Sequence, residues 1–317
     1  MLSSFGLGCW ALGGDSYGIV NEKEARLLLD TAYDCGVKFF DTSPAYGEGL
    51  SEERIGKYLS KKQNIKIATK VGMLPHSSKI IPYDFSSTHI VNSINSSLKR
   101  LQIDALDLVQ LHSPIIGFEQ EFSDVFVTLN SLVANGKVKN FGISLRSPSN
   151  FSKQLNLYDW KSFQYNFSIL DQRIIADMKR IVLNSNKDKL FVARTPLNFG
   201  FLTESPPELS KLTSKHHLKG WENSQFVEWE SKVQIIKNII KKYDYSLLQT
   251  ALRFPVDSRF SNLVIPGARN QLEFLDNFKA FNLGKICKEL ILELKQQFNL
   301  SEKNTIETPY KYIKNET

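Results

Sequence analysis

The feature that most restricts the fold of this chain is an alternation. Short β-branched or aromatic runs are each followed by a longer stretch with helical spacing. Strand-like and helix-like segments in that order read as parallel βα units. The runs are Phe5 to Trp10, Val37 to Asp41, Ile65 to Lys70, Leu106 to Leu111, Val138 to Ile143, Ser162 to Tyr165, Leu190 to Arg194 and Leu263 to Ile265. These runs, with no linker or long low-complexity segment between them, predict one α/β domain over residues 1–317, a (β/α)8 TIM barrel.

The helical stretches have their own signals. Asn21 with Glu24 three residues on reads as a capping box, opening a helix with Ala25, Leu28, Leu29 and Ala32 on one face. Helices are expected near Ser51–Leu59, from a cap at Ser87 to Leu101, near Glu119–Ala134, after Pro148 and near Ile174–Leu183. Two stretches, Val227–Lys242 and Ser246–Phe254, precede the last strand where a plain barrel needs one, and an extra helix is expected over Lys285–Phe298. The segment from Thr195 to about Gln225 has few periodic apolar positions, as lids and binding loops do. The polar tail after about residue 300 is expected to fray.

Composition narrows the function classes. No apolar run approaches the roughly 20 residues of a membrane helix, so no membrane partner is expected. The first ten residues lack a basic segment and a signal-type apolar stretch. Cys9, Cys35 and Cys287 are too few and too dispersed for a disulfide framework, and both features set an expectation of a cytoplasmic protein. The net charge is +7, but the basic residues are scattered rather than clustered with aromatics. That argues against a nucleic-acid partner and favours a phosphate-bearing small ligand.

In such a barrel the active site is built at the carboxyl ends of the strands. The second run ends in Asp41, with Tyr46 five residues on; the third ends in Lys70; the fourth is followed at once by His112. A tyrosine hydroxyl with an ordinary pKa of about 10 is a poor acid near neutrality. A lysine ammonium beside it stabilises the phenolate and lowers that pKa, and an aspartate keeps the lysine charged and oriented. A neutral histidine donates a hydrogen bond to a carbonyl oxygen. A general acid with a carbonyl-polarising donor suits hydride addition to C=O, the hydride coming from a cofactor. No metal ligands are expected, since adjacent His216 and His217 have no partners in sequence.

The segments FFDTSPAYGEGLSEERIGKYL, IATK, LDLVQLHS, VKNFGISL, SFQYN and LVIPGARN, in that order, resemble the aldo-keto reductase superfamily from about Gly6 to Asn277. The resemblance implies the same barrel and NAD(P)H-dependent reduction of an aldehyde or ketone to an alcohol. It places the catalytic tetrad on Asp41, Tyr46, Lys70 and His112. It also implies that Ser144 and Gln164 hydrogen-bond the nicotinamide carboxamide, that Arg194 stacks on the nicotinamide, and that Thr195 and Leu197 open the loop over the pyrophosphate. Gly267, Arg269 and Asn277 fall in the adenosine-phosphate stretch, Arg269 toward a 2′-phosphate and Asn277 toward the adenine.

Three departures bear on these expectations. Leu145 stands where an asparagine usually follows Ser144, and Glu273 where many relatives carry Arg or Gln. The β-hairpin that usually caps the barrel floor is missing. Arg269 makes NADPH the first expectation, while a carboxylate at Glu273, which repels a 2′-phosphate and accepts a ribose hydroxyl, makes NADH the alternative. The start of the long loop, RTPLNFGFLTE, resembles carbohydrate-processing reductases and suggests a sugar-derived carbonyl. The rival function is a cofactor-binding regulatory or scaffold subunit with little turnover. Trp10, Met73 and Phe118 follow strand ends, where pocket lining and ordinary packing both stay open.

Overall fold

The wall of the protein is a parallel sheet whose strands follow one another in chain order, apart from one short strand set outside it. The structure, a computed structural model, describes residues 4–14, 16–75, 80–114, 122–147, 158–178, 188–213, 216–298 and 311–314. The wall comprises β1 (Leu7–Gly8), β2 (Phe39–Asp41), β3 (Lys66–Val71), β5 (Leu108–His112), β6 (Phe141–Ser144), β7 (Ser162–Asn166), β8 (Leu190–Arg194) and β9 (Leu263–Ile265). All neighbouring pairs are parallel, and the last strand returns to the first through bridges Phe5–Val264 and Gly8–Gly267. The eight expected strands are these eight, and the barrel is the predicted one.

Helices α1 (Glu22–Asp34), α2 (Leu50–Leu59), α3 (Ser87–Leu101), α4 (Phe122–Ala134), α5 (Ile174–Met178), α6 (Asn223–Ile240), α7 (Leu247–Asp257), α8 (Gln271–Asn282) and α9 (Lys288–Gln297) follow. The capping box of α1 is formed on both sides, Asn21 accepting from Glu24 N–H and Glu24 from Asn21 N–H. The cap of α3 is Ser86, one residue before the expected Ser87. Both α6 and α7 stand between β8 and β9, and α9 is the expected C-terminal helix. The helix expected after Pro148, the part of the Ile174–Leu183 helix beyond Met178, and Phe118 lie outside the described residues.

Apolar residues divide between two cores by the period of two along each strand. Phe40, Ile67, Val109, Phe141, Ile143, Phe163, Ala193 and Val264 face outward and pack under the helices. Phe39, Ala68, Leu108, Val192, Leu263 and Ile265 fill the barrel interior as a separate cluster. The interior is crowded at Gly142, where a Cβ would come 2.3 Å from the Ser162 carbonyl, so β6 and β7 accommodate only a glycine there.

The sequence reading did not foresee one small sheet. β4 (Ile80–Tyr83) pairs in parallel with β10 (Lys311–Lys314), so this part of the tail, expected to fray, is held in a ladder. Tyr83 donates its hydroxyl to the Ser113 carbonyl just after β5, which ties β4 to the carboxyl end of the wall.

Candidate active site

The inward face that holds the inner core continues, two residues further along each strand, into polar side chains at the carboxyl end. Phe39 is followed by Asp41, Ala68 by Lys70, and Leu108 by Gln110 and His112. Ser144 and Arg194 end β6 and β8, and Gln164 lies two residues before the end of β7, all with the same parity. Register makes them neighbours: His112 pairs with Ser144, and Ser144 with Gln164. Residues far apart in sequence therefore meet because strand alternation and the order of the parallel strands bring them to one end of the barrel.

Lys70 and Asp41 are both buried and joined at 2.5 Å, and the ammonium also donates to the Thr42 carbonyl at 2.9 Å. Gln164 Nε2 donates to the other Asp41 oxygen at 2.7 Å, so both carboxylate oxygens have partners, as a buried charge requires. Lys70 Nζ lies 5.1 Å from the centre of the Tyr46 ring. Tyr46 stacks on Trp10 and meets the edge of His112, each at 5.9 Å between ring centres. Burial works to lower the Lys70 pKa, but Asp41 and Tyr46 outweigh it and hold the ammonium above its ordinary value. For Tyr46 the balance differs from expectation. Burial pushes its hydroxyl above the ordinary value, and the opposing pull of Lys70 does not overcome it.

Tyr46 is held by the loops around it. Gly47 has φ +62°, and a Cβ there would lie 2.2 Å from the Gly13 carbonyl, so the chain after Tyr46 runs against the turn after β1. Arg54 of α2 is buried and donates to the carbonyls of Leu12 and Val20 on that turn, at 2.6 and 2.8 Å. Ser51 adds a bond to the Cys9 carbonyl at 2.8 Å.

From Tyr46 a cleft of about 1170 Å³ runs past Gln164, Arg194, Thr195 and Leu197 to Gly267, Arg269 and Asn277. Its volume and donors fit a dinucleotide. Gln164 lines it, and Ser144 lies behind, fully buried, donating to Gln164 Oε1 at 2.8 Å. Arg194 donates to the Leu145 carbonyl at 2.9 Å, so the backbone of the unusual leucine anchors the guanidinium. Thr195, with φ +55°, bonds Asn166 Oδ1 at 2.9 Å as the long loop departs. At the far end α8 is capped by Asn270, whose side chain accepts from Glu273 N–H, and helix N-termini favour anions. Asn277 donates to the Gly267 carbonyl at 3.2 Å.

Two arrangements in this cleft escaped sequence reasoning. Glu273 does more than stand near Arg269: it accepts from the Arg269 backbone N–H at 2.8 Å and from its guanidinium at 2.9 and 2.6 Å. The cation expected to meet a 2′-phosphate is thus already paired. His217, to which the sequence reading gave no role, packs against Trp10 and Tyr17 at 4.9 and 4.4 Å between ring centres and bonds the Ser16 carbonyl at 2.9 Å through Nδ1. The loop after β8 is thereby clasped to the loop after β1 beside the cleft. Met73 packs in the core and bridges to Tyr83, while Trp10 lines the cleft. Among the described residues no group of three or more His, Cys, Asp or Glu could hold a metal, and no helix is long and apolar enough to cross a membrane.

A (β/α)8 barrel with a buried Lys–Asp pair beneath a tyrosine, at the head of a dinucleotide-sized cleft, defines a class of cofactor-dependent carbonyl reductase. The profile of the Aldo/keto reductase family matches residues 4–297, and the chain belongs to that family. It is similar to the aldo-keto reductase YhdN of Bacillus subtilis (strain 168), 28% identical over 97% of this chain and 92% of that protein. It is also similar to the D-threo-aldose 1-dehydrogenase of Pseudomonas sp, 26% identical over 83% and 85%. Among solved structures, the holo form of an aldo-keto reductase from Bacillus halodurans shares the fold, with a TM-score of 0.78 and 24% identity over 95% of both chains. The protein is an NAD(P)H-dependent oxidoreductase that reduces carbonyl groups.

Proposed function

We propose that Tyr46 is the general acid of this reduction, Lys70 the group that tunes it, Asp41 the partner that holds Lys70, and His112 the donor that orients the substrate carbonyl. The observation that carries this reading is the buried Lys70–Asp41 pair beneath the Tyr46 ring. When bound, the reduced nicotinamide supplies the hydride that adds to the carbonyl carbon. Tyr46 gives its proton to the carbonyl oxygen, and the fixed Lys70 charge stabilises the phenolate left behind. Gln164 and Ser144 would hold the carboxamide and Arg194 would stack on the ring. Thr195 and Leu197 would cover the pyrophosphate, and Gly267, Arg269 and Asn277 would take the adenosine end.

The substrate class favoured is a sugar-derived aldehyde or ketone. The long-loop sequence and the similarity to an aldose dehydrogenase support it, and Trp10 and Tyr17 give the cleft an aromatic wall. The whole chain, 1–317, acts as one cytoplasmic domain on a small molecule, without nucleic acid. Tyr46→Phe tests the assignment. The variant should bind cofactor as the parent does and lose about 10²- to 10⁴-fold in kcat with a generic aldehyde. Turnover at the parental rate would remove Tyr46 from the mechanism.

A further inference from the structure

His112 ends β5, and its ring is met from the loop that follows β2. Ser43 in that loop is fully buried, and its Oγ lies 3.1 Å from His112 Nδ1. The same Oγ accepts the backbone N–H of Ala45 at 3.1 Å. A hydroxyl has one proton to give and two lone pairs to fill. With Ala45 N–H on a lone pair, the acceptor that the described residues place in reach of the Ser43 proton is His112 Nδ1. A buried hydroxyl proton left without an acceptor is costly, so the bond runs from Ser43 to the histidine. Nδ1 then carries the lone pair and Nε2 the hydrogen.

Local sequence explains why Ser43 holds still. Tyr46 N–H bonds the Ser43 carbonyl at 3.1 Å, closing a four-residue turn with Pro44 second, where a fixed φ is favoured and no N–H is needed. The first residue of this turn touches His112 and the last is Tyr46. One turn therefore places both groups that meet the carbonyl oxygen.

We propose that Ser43 is a positioning residue that locks His112 in the Nε2–H tautomer, so that its ring offers a donor to the substrate carbonyl. The opposite tautomer would face the carbonyl lone pairs with a lone pair of its own. The inference rests on His112 being the carbonyl-orienting group, and it adds the device that makes it a donor.

The test uses the full chain labelled with ¹⁵N-histidine, with His112 assigned by comparison with His112→Gln. The expected spectrum shows a protonated Nε2 and an unprotonated Nδ1. Ser43→Ala should erase that signature, raise KM for an aldehyde and lower kcat/KM about fivefold, the size of one lost neutral hydrogen bond. Cofactor affinity should stay at the parental value, and Ser43→Thr should restore both spectrum and kcat/KM. An Nδ1–H signal for His112 in the unaltered protein would overturn the proposal, even where Ser43→Ala fails to fold. So would a Ser43→Ala enzyme with parental spectrum and kcat/KM. Should His112→Gln keep parental kcat/KM, the role of His112 itself would fall, while the spectrum would still report the tautomer.

Discussion

At the residue scale the competition at Tyr46 decides the pH behaviour. Burial outweighs Lys70 and holds the hydroxyl above its ordinary pKa of about 10. Reduction needs the protonated form, so its kcat should stay flat from neutrality to about pH 9. Alcohol oxidation needs the phenolate, so its rate should keep rising over the same range with no plateau. Profiles of kcat in both directions check this, and an oxidation plateau near neutrality would show that Lys70 prevails over burial. Asp41, Lys70 and His112 were legible in sequence because each sits at a strand end, where residue type and position carry the chemistry. Ser43 was not, since its contact with His112 spans 69 residues and depends on β2 and β5 flanking β3 in the wall. Glu273 was legible as a charge, but its pairing with Arg269 is settled by the rotamers both adopt at the start of α8.

At the scale of elements, the clasp between the loops after β1 and β8 depends on a neutral histidine. Burial depresses the His217 pKa from its ordinary value to about 3. The unfolded chain therefore binds a proton that the folded one refuses between about pH 6.5 and pH 3. The stability His217 contributes is complete above about pH 6.5 and declines as pH falls through that window. His217→Phe keeps an aromatic ring but removes the titration. Between pH 7 and pH 5 the parent should lose about 2 kcal/mol more than the variant, read from urea midpoints at each pH. Equal losses would mean that His217 is protonated without opening the clasp. Periodicity revealed the wall strands and most helices, because each buries one face. It was silent on the clasp, where His217 meets Ser16 across 201 residues without a repeating pattern. It was equally silent on β4, whose four residues include Pro82 and whose partner strand lies near the chain end.

At the scale of the whole molecule, the cleft draws its walls from both ends of the chain. Gly8 ends β1 and Trp10 follows it, Arg194 ends β8 and Leu197 follows it, and Arg269 and Asn277 follow β9. A ligand in that cleft adds contacts between segments already joined by strand pairing, the closing bridges and the His217 clasp, so cofactor binding should report as global stability. At about 100 times its dissociation constant a cofactor contributes about 2.7 kcal/mol, which for a chain of 317 residues raises the melting midpoint by roughly 4 °C. If the proposed adenosine end at Arg269 holds, the Arg269–Glu273 pair would set how this shift divides between cofactors, since Glu273 would oppose a 2′-phosphate both by its charge and by occupying the guanidinium. Glu273→Gln removes the charge while keeping an amide that can still cap the turn. Its NADPH affinity relative to NADH should rise about tenfold, worth about 1.4 kcal/mol. Thermal melts at one fixed concentration of each cofactor should show the NADPH midpoint rising by roughly 2 °C over the parent, with the NADH midpoint level or lower. Equal changes with both cofactors would place Glu273 away from the 2′ position and return selectivity to Arg269 alone.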